Sequence, residues 1–174
     1  MAYTLKQLVE DCRAALTKDK GAIGQNAVRK FVEVACLDDD FVSTHLGPEN
    51  DTPRKVLYED DELGFCILVH VAAAETGLPH GHGPTWAIYG IAAGITEMTD
   101  WYCTEQPQGR IPGKVVKGRS YEVPKGTAHL YNEGDLHSSR REQEVRMVRV
   151  EGFNLMGTFN SFTSNKINVN FGHA

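Results

Sequence analysis

The pattern of apolar and polar positions changes character near residue 54. Before it, Leu5, Leu8, Val9, Cys12 and Leu16 recur at three- and four-residue spacing, which predicts an amphipathic helix over residues 4–17. Thr4 is placed to cap it, and Gln7, three positions on, completes a capping-box pattern. After Lys18-Asp-Lys-Gly21 a second helical pattern runs over residues 25–36 through Val28, Phe31, Val32 and Ala35. It stops near Asp38-Asp-Asp40, a triplet that reads as a solvated helix end or the cap of the next turn rather than a cation site. Residues 41–46 add one more short turn, in which His45 reads as a surface or packing residue.

Beyond Arg54, residues 55–58, 65–71, 86–93, 95–102, 114–123, 128–131 and 145–150 are short runs rich in β-branched and aromatic residues, separated by Gly, Pro and acidic turns. Seven such runs predict a β-barrel or sandwich. Cys66 to Val69 is apolar throughout, as in a strand covered on both faces, whereas Arg146-Met-Val-Arg-Val150 alternates as a half-exposed strand does. Residues 153–174 carry Phe153, Leu155, Met156, Phe159 and Phe162 before turning polar, so the tail is expected to pack across the barrel or a helix and to fray near His173.

Composition narrows the function classes. A chain of 174 residues with 41% hydrophobic content supports one core and one domain. A formal net charge of −5, with the 18 basic residues nowhere clustered, argues against nucleic acid or an acidic membrane surface as partner. The first residues hold no basic segment followed by an apolar run, and no run of eighteen apolar residues occurs, so a cytoplasmic protein is expected. Cys12, Cys36, Cys66 and Cys103 never fall in a C-x-x-C spacing and read as free thiols, mostly buried.

The candidate chemistry lies in two stretches. His80-Gly-His82 places two imidazoles on one face of an extended segment, ~6.6 Å apart at the backbone, where they can converge on one ion. A third ligand is expected from His129, which opens the strand after the turn Pro124-Lys-Gly126. Imidazole suits Fe, Zn, Cu and Ni alike.

These residues resemble the paired motifs of the cupin superfamily. Gly118, five residues, Pro124-x-Gly126, two residues and His129 match the second motif position by position, and His80-x-His82 through Gly94 match the first except at Ala87, where the superfamily often has a Glu ligand. A cupin with three His and no Glu is similar to the thiol dioxygenases typified by cysteine dioxygenase. The resemblance implies a mainly β fold: a single cupin barrel (double-stranded β-helix, jelly-roll) over about residues 54–163, with N-terminal α-helices over about residues 1–46. It implies Fe(II) held by His80, His82 and His129, and a small carboxylate-bearing thiol and O2 as substrates. It also implies a carboxylate-binding role for Arg54, 26 residues before His80; a surface arginine at a strand start is the equal alternative.

Tyr89 and Trp86 are further candidates for substrate contact, although aromatic residues in strands more often fill cores. His137 reads as an exposed loop residue, with a pocket role as the alternative. The Ser-x-His-x-Tyr run that cysteine dioxygenases carry after the third ligand has no counterpart, and no residue is assigned as catalytic. Zn, Mn or Ni in a non-oxidative isomerase or lyase, or a small-molecule-binding cupin without turnover, are the alternative functions. A monomer or homodimer is expected.

Overall fold

Three helices come first in the computed structural model, which describes residues 2–106 and 113–155. α1 (Leu5–Lys18) buries Leu8, Cys12 and Leu16 and is capped by Thr4, whose side chain accepts from Gln7 N at 3.2 Å. The capping box is only half made, because the Gln7 amide donates forward to Asp11 at 3.0 Å instead of returning to the cap. α2 (Ala22–Leu37) begins three residues earlier than its apolar spacing predicts, and Asp38 then caps α3 (Asp39–Leu46) through Phe41 N at 2.8 Å. The acidic triplet therefore acts as a cap, as one of its two expected readings had it.

Nine strands follow among the described residues: β1 (Lys55–Glu59), β2 (Cys66–Ala72), β3 (Glu75–Thr76), β4 (Ala87–Ala93), β5 (Ile95–Glu105), β6 (Lys114–Pro124), β7 (Ala128–Tyr131), β8 (Leu136–Arg141) and β9 (Val145–Glu151). They form two antiparallel sheets, ordered β1-β2-β9-β4-β7 and β3-β8-β5-β6. The fold class is mainly β with N-terminal helices, as expected. All seven predicted runs are strands. β3 and β8 are additions, and β8 matters because it carries His137.

The five-stranded sheet has two unlike faces. Ile67, Val69, Ile88, Ala128, Val148 and Val150 join Leu8, Cys12, Val28, Val32 and Cys36 in one buried apolar cluster beneath the helices. Strand alternation sends the intervening residues, among them His70, Tyr89, His129 and Arg149, to the other face, where they meet residues of the second sheet across a cavity. α2 lies close on β4 because Gly90 has no side chain; a Cβ there would collide with Val32 and Cys36.

β9 departs from the half-exposed strand predicted for it. Its apolar Val148 and Val150 do face the helices, but Arg149, on the alternate face, points into the molecule and is 13% exposed. β2 is buried from Cys66 to Val69 as its composition requires. Cys12, Cys36 and Cys66 are buried free thiols, and Cys103 is partly exposed. The motif glycines have backbone reasons: Gly94 and Gly126 sit at φ +82° and +83°, a region that side chains disfavour. The expected packing of Met156, Phe159 and Phe162 and the fraying near His173 lie outside the described residues. Among the described residues no helix is long and apolar enough to cross a membrane.

Candidate metal centre

His80 and His137 form an antiparallel bridge, with His80 N donating to His137 O and His137 N to His80 O, each at 2.9 Å. Their side chains are therefore direct cross-strand neighbours, and the ring centroids stand 4.6 Å apart. His82, two residues on, brings its ring to 4.8 Å from that of His137 and 5.9 Å from that of His80. One ligand atom from each of His80, His82 and His137 can be chosen so that all three lie within 4.8 Å of one another. Nitrogens sharing an ion at ~2.1 Å stand about 3–3.5 Å apart, so the cluster is an open one that a metal would draw together.

The nitrogens are disposed for that role. His80 Nδ1 lies 2.9 Å from Leu78 O, which can only accept, so Nδ1 carries the proton and Nε2 keeps a lone pair. His82 Nε2 is 2.7 Å from the Tyr89 hydroxyl, while its Nδ1 and the Nδ1 of His137 are buried with no protein partner. Buried polar atoms without partners are uncommon, and two neighbouring imidazoles that each keep one such nitrogen fit a metal ion. Burial, reinforced by Arg149, pushes His82 down to about 2, and burial, reinforced by the neighbouring His80 and His82, holds His137 well below the usual histidine range, so both rings are neutral and able to ligate.

The other candidates are placed as follows. His129 on β7 lines the same cavity, but its Nε2 lies 3.2 Å from the oxygen of the Tyr121 hydroxyl, whose proton goes to Asp100 at 3.0 Å, and it is not one of the three clustered rings. His137 is 1% exposed, stacked on Tyr131 at 3.8 Å, not in an exposed loop. Tyr89 lines the cavity and holds His82. Trp86 packs against the apolar cluster on the helix side. Arg54 is not among the cavity-lining residues; its Nη2 donates to Glu151 at 3.2 Å and Asn154 at 2.9 Å.

Ala87, where the superfamily often has a ligand Glu, is fully buried opposite Glu151 of β9. That carboxylate is held by Arg149 at 2.7 Å as well as by Arg54.

The cavity beside the histidines measures about 290 Å³ and is lined by His70, Tyr89, Thr96, Arg141 and Arg149 among others. It suits a ligand of a few heavy atoms. The residues that sequence reasoning missed, Arg141 and Arg149, lay in plain view at i+4 and i+12 from His137. Arg149 was hidden by the expectation that a charged strand position faces water, and Arg141 by the absence of any predicted strand over residues 136–141.

No known protein-family model matches the sequence, and no curated protein matches it. Solved structures resemble it in backbone path. The cupin domain of Cnp3 from Schizosaccharomyces pombe is 12% identical over 62% of this chain and 69% of that one, with a TM-score of 0.43. KdgF from a Halomonas species is 14% identical over 56% of this chain and 76% of that one, at 0.42. A cupin superfamily protein from Desulfitobacterium hafniense is 11% identical over 58% of this chain and 76% of that one, at 0.43. The fold class of this chain rests on its own two antiparallel sheets and three helices.

Proposed function

We propose that this protein is a cupin-type mononuclear non-haem iron dioxygenase that converts a small carboxylate-bearing thiol to its sulfinate, RSH + O2 → RSO2H. The observation that carries the reading is a group of three imidazoles with no carboxylate among them, beside a small cavity of mixed polar and apolar lining. Bound there by His80, His82 and His137, Fe(II) would supply the redox chemistry that joins both oxygen atoms to sulfur. A ligand set of three neutral rings leaves the ion its full charge, which favours an anionic donor such as a thiolate.

The chain's own contributions are orientation and enclosure. Leu78 O fixes the tautomer of His80, and the Tyr89 hydroxyl fixes the ring of His82. Tyr131 stacks on His137 and seals it from water, its own hydroxyl tied to Tyr121 at 3.0 Å. Ile91, Met98, Val123 and Met147 make the apolar part of the cavity wall and exclude bulk water.

The test is oxygen uptake by Fe(II)-loaded protein with a panel of small thiols, beside a Zn-loaded control. Thiol-dependent uptake that zinc does not support, with both atoms of 18O2 recovered in a sulfinate, is the expected result. No uptake with any thiol by protein shown to hold iron would overturn the reading in favour of a non-oxidative metal-dependent cupin.

A further inference from the structure

We infer that Arg149 is the anion-recognition residue of this cavity, taking the carboxylate of the substrate, and that Glu151 and Arg54 position it. The inference rests on the cavity being the substrate site and assigns to β9 the role that the sequence resemblance gave to Arg54.

Two guanidinium groups line the cavity, and only one has capacity to spare. Arg141 is spent on the protein: Nη2 on Glu75 at 3.1 Å, Nη1 on Ser139 Oγ at 2.6 Å and Nε on Ala73 O at 3.1 Å. Arg149 gives Nη2 to Glu151 at 2.7 Å and lies over the Tyr89 ring at 4.4 Å, but its Nε is buried with no partner. A guanidinium N–H left unpaired inside a protein is costly, and a carboxylate that takes Nε–H together with a neighbouring Nη–H removes the deficit.

The charge count agrees. Glu151 is 1% exposed and is the one carboxylate shared by Arg149, on Oε1, and Arg54, on Oε2 at 3.2 Å. The Cys66 thiol, 3.6 Å from Oε2, is neutral there, since burial raises it to about 12. The next carboxylate, Glu59, bonds Asn154 rather than either guanidinium, so the directly paired groups are two cations on one anion, and a ligand anion can balance them. Thr96 Oγ1 and His70 Nε2, also buried without partners and also lining the cavity, are further polar atoms that a bound carboxylate or its hydration can satisfy.

The arrangement explains why Arg54 is kept inside although it does not reach the cavity. By sharing Glu151 it weakens that residue's hold on Arg149 and leaves the latter's charge available. Arg54 is thus a positioning residue.

The experiment is calorimetric titration of Zn-loaded and metal-free protein, neither of which turns over, with 3-mercaptopropionate, propionate, 2-mercaptoethanol and cysteamine. The expected order on the zinc form is 3-mercaptopropionate tightest, 2-mercaptoethanol weaker by roughly tenfold to a hundredfold, and cysteamine weakest. Propionate should bind the metal-free form detectably. Arg149→Met should erase the preference for 3-mercaptopropionate over 2-mercaptoethanol with zinc content unchanged, and Arg54→Met should reduce it by a smaller factor. Arg149→Met leaves Glu151 and Arg54 paired one to one, so it is expected to fold; if it does not, Arg149→Lys, which keeps the charge and loses the fork, should show a partial loss.

Equal binding of the acid and the alcohol by the unaltered protein, or a preference that survives Arg149→Met, would overturn the inference. Carboxylate preference without oxygen uptake by the iron form sinks the dioxygenase and leaves Arg149 in its role. Uptake without the preference does the reverse.

Discussion

The two faces of the five-stranded sheet are built from the same strands and solve opposite problems. On the helix face, apolar side chains meet apolar side chains, and the buried charge at its rim is fully answered. Asp60, 3% exposed, accepts from Arg13 of α1, from the Tyr58 hydroxyl at 2.9 Å and from Leu63 N at 2.8 Å. On the cavity face and across the cavity from it lie all five of the buried side-chain polar atoms that lack a partner among the described residues: His70 and Arg149 on the sheet itself, Thr96 and His137 on the opposing sheet, and His82 beside His137. One face is complete without a ligand and the other is not. Incomplete hydrogen bonding concentrated on one side is what a binding site looks like before its occupant arrives.

The difference can be broken from either side. The largest effect is expected at the cavity: His137→Ala should lose bound metal and cut thiol-dependent oxygen uptake by roughly a hundredfold or more. His129→Ala should keep the metal, because its Nε2 is engaged with Tyr121. Metal analysis of the two variants side by side decides between the third ligand that the motif names and the one that the geometry assembles.

Next in size is Asp60→Ala, which strands Tyr58 and two backbone donors. It should cost about 2–4 kcal/mol in denaturant unfolding and leave metal affinity alone. If it disturbed the metal as much as the fold, the two faces would not be independent.

The smallest effect is a slope. Burial first, then Arg149 and Arg54, lowers His70 to about 3, so the folded protein keeps it neutral while the unfolded chain protonates near pH 6.5. Between those values the unfolded state binds the extra proton. Stability of the metal-free protein should therefore fall with falling pH, by about 1.4 kcal/mol per unit from this residue. His70→Gln should remove that share of the slope, seen as a flatter dependence of unfolding midpoint on pH.

The helix face was readable from sequence because its code is apolar periodicity. Leu8, Cys12 and Leu16, or Ile67 and Val69, announce which way they point. The cavity face uses the same period of two, but writes it in polar letters. In Leu136-His-Ser-Ser-Arg-Arg141 the inward residues are His137, Ser139 and Arg141, so β8 shows no apolar alternation and reads as a loop. Arg149 was misjudged for the same reason, as a charge that must face solvent. His80 and His82 were found because their i, i+2 spacing is a chemical pattern in its own right. His137 joins them through a backbone pairing 57 positions away, which no local pattern encodes.

The place of β9 has a consequence for how the molecule comes to exist. It lies between β2 and β4, yet among the described residues it is the last strand in chain order. On a ribosome the three helices and eight strands emerge first, with a gap in the middle of the sheet they need. Neither the surface that receives the helices nor the wall that carries Arg149 can close until residues 145–151 arrive. Such long-range closure predicts slow refolding in a single late cooperative step, and nascent chains that depend on being shielded until the final strand slots in.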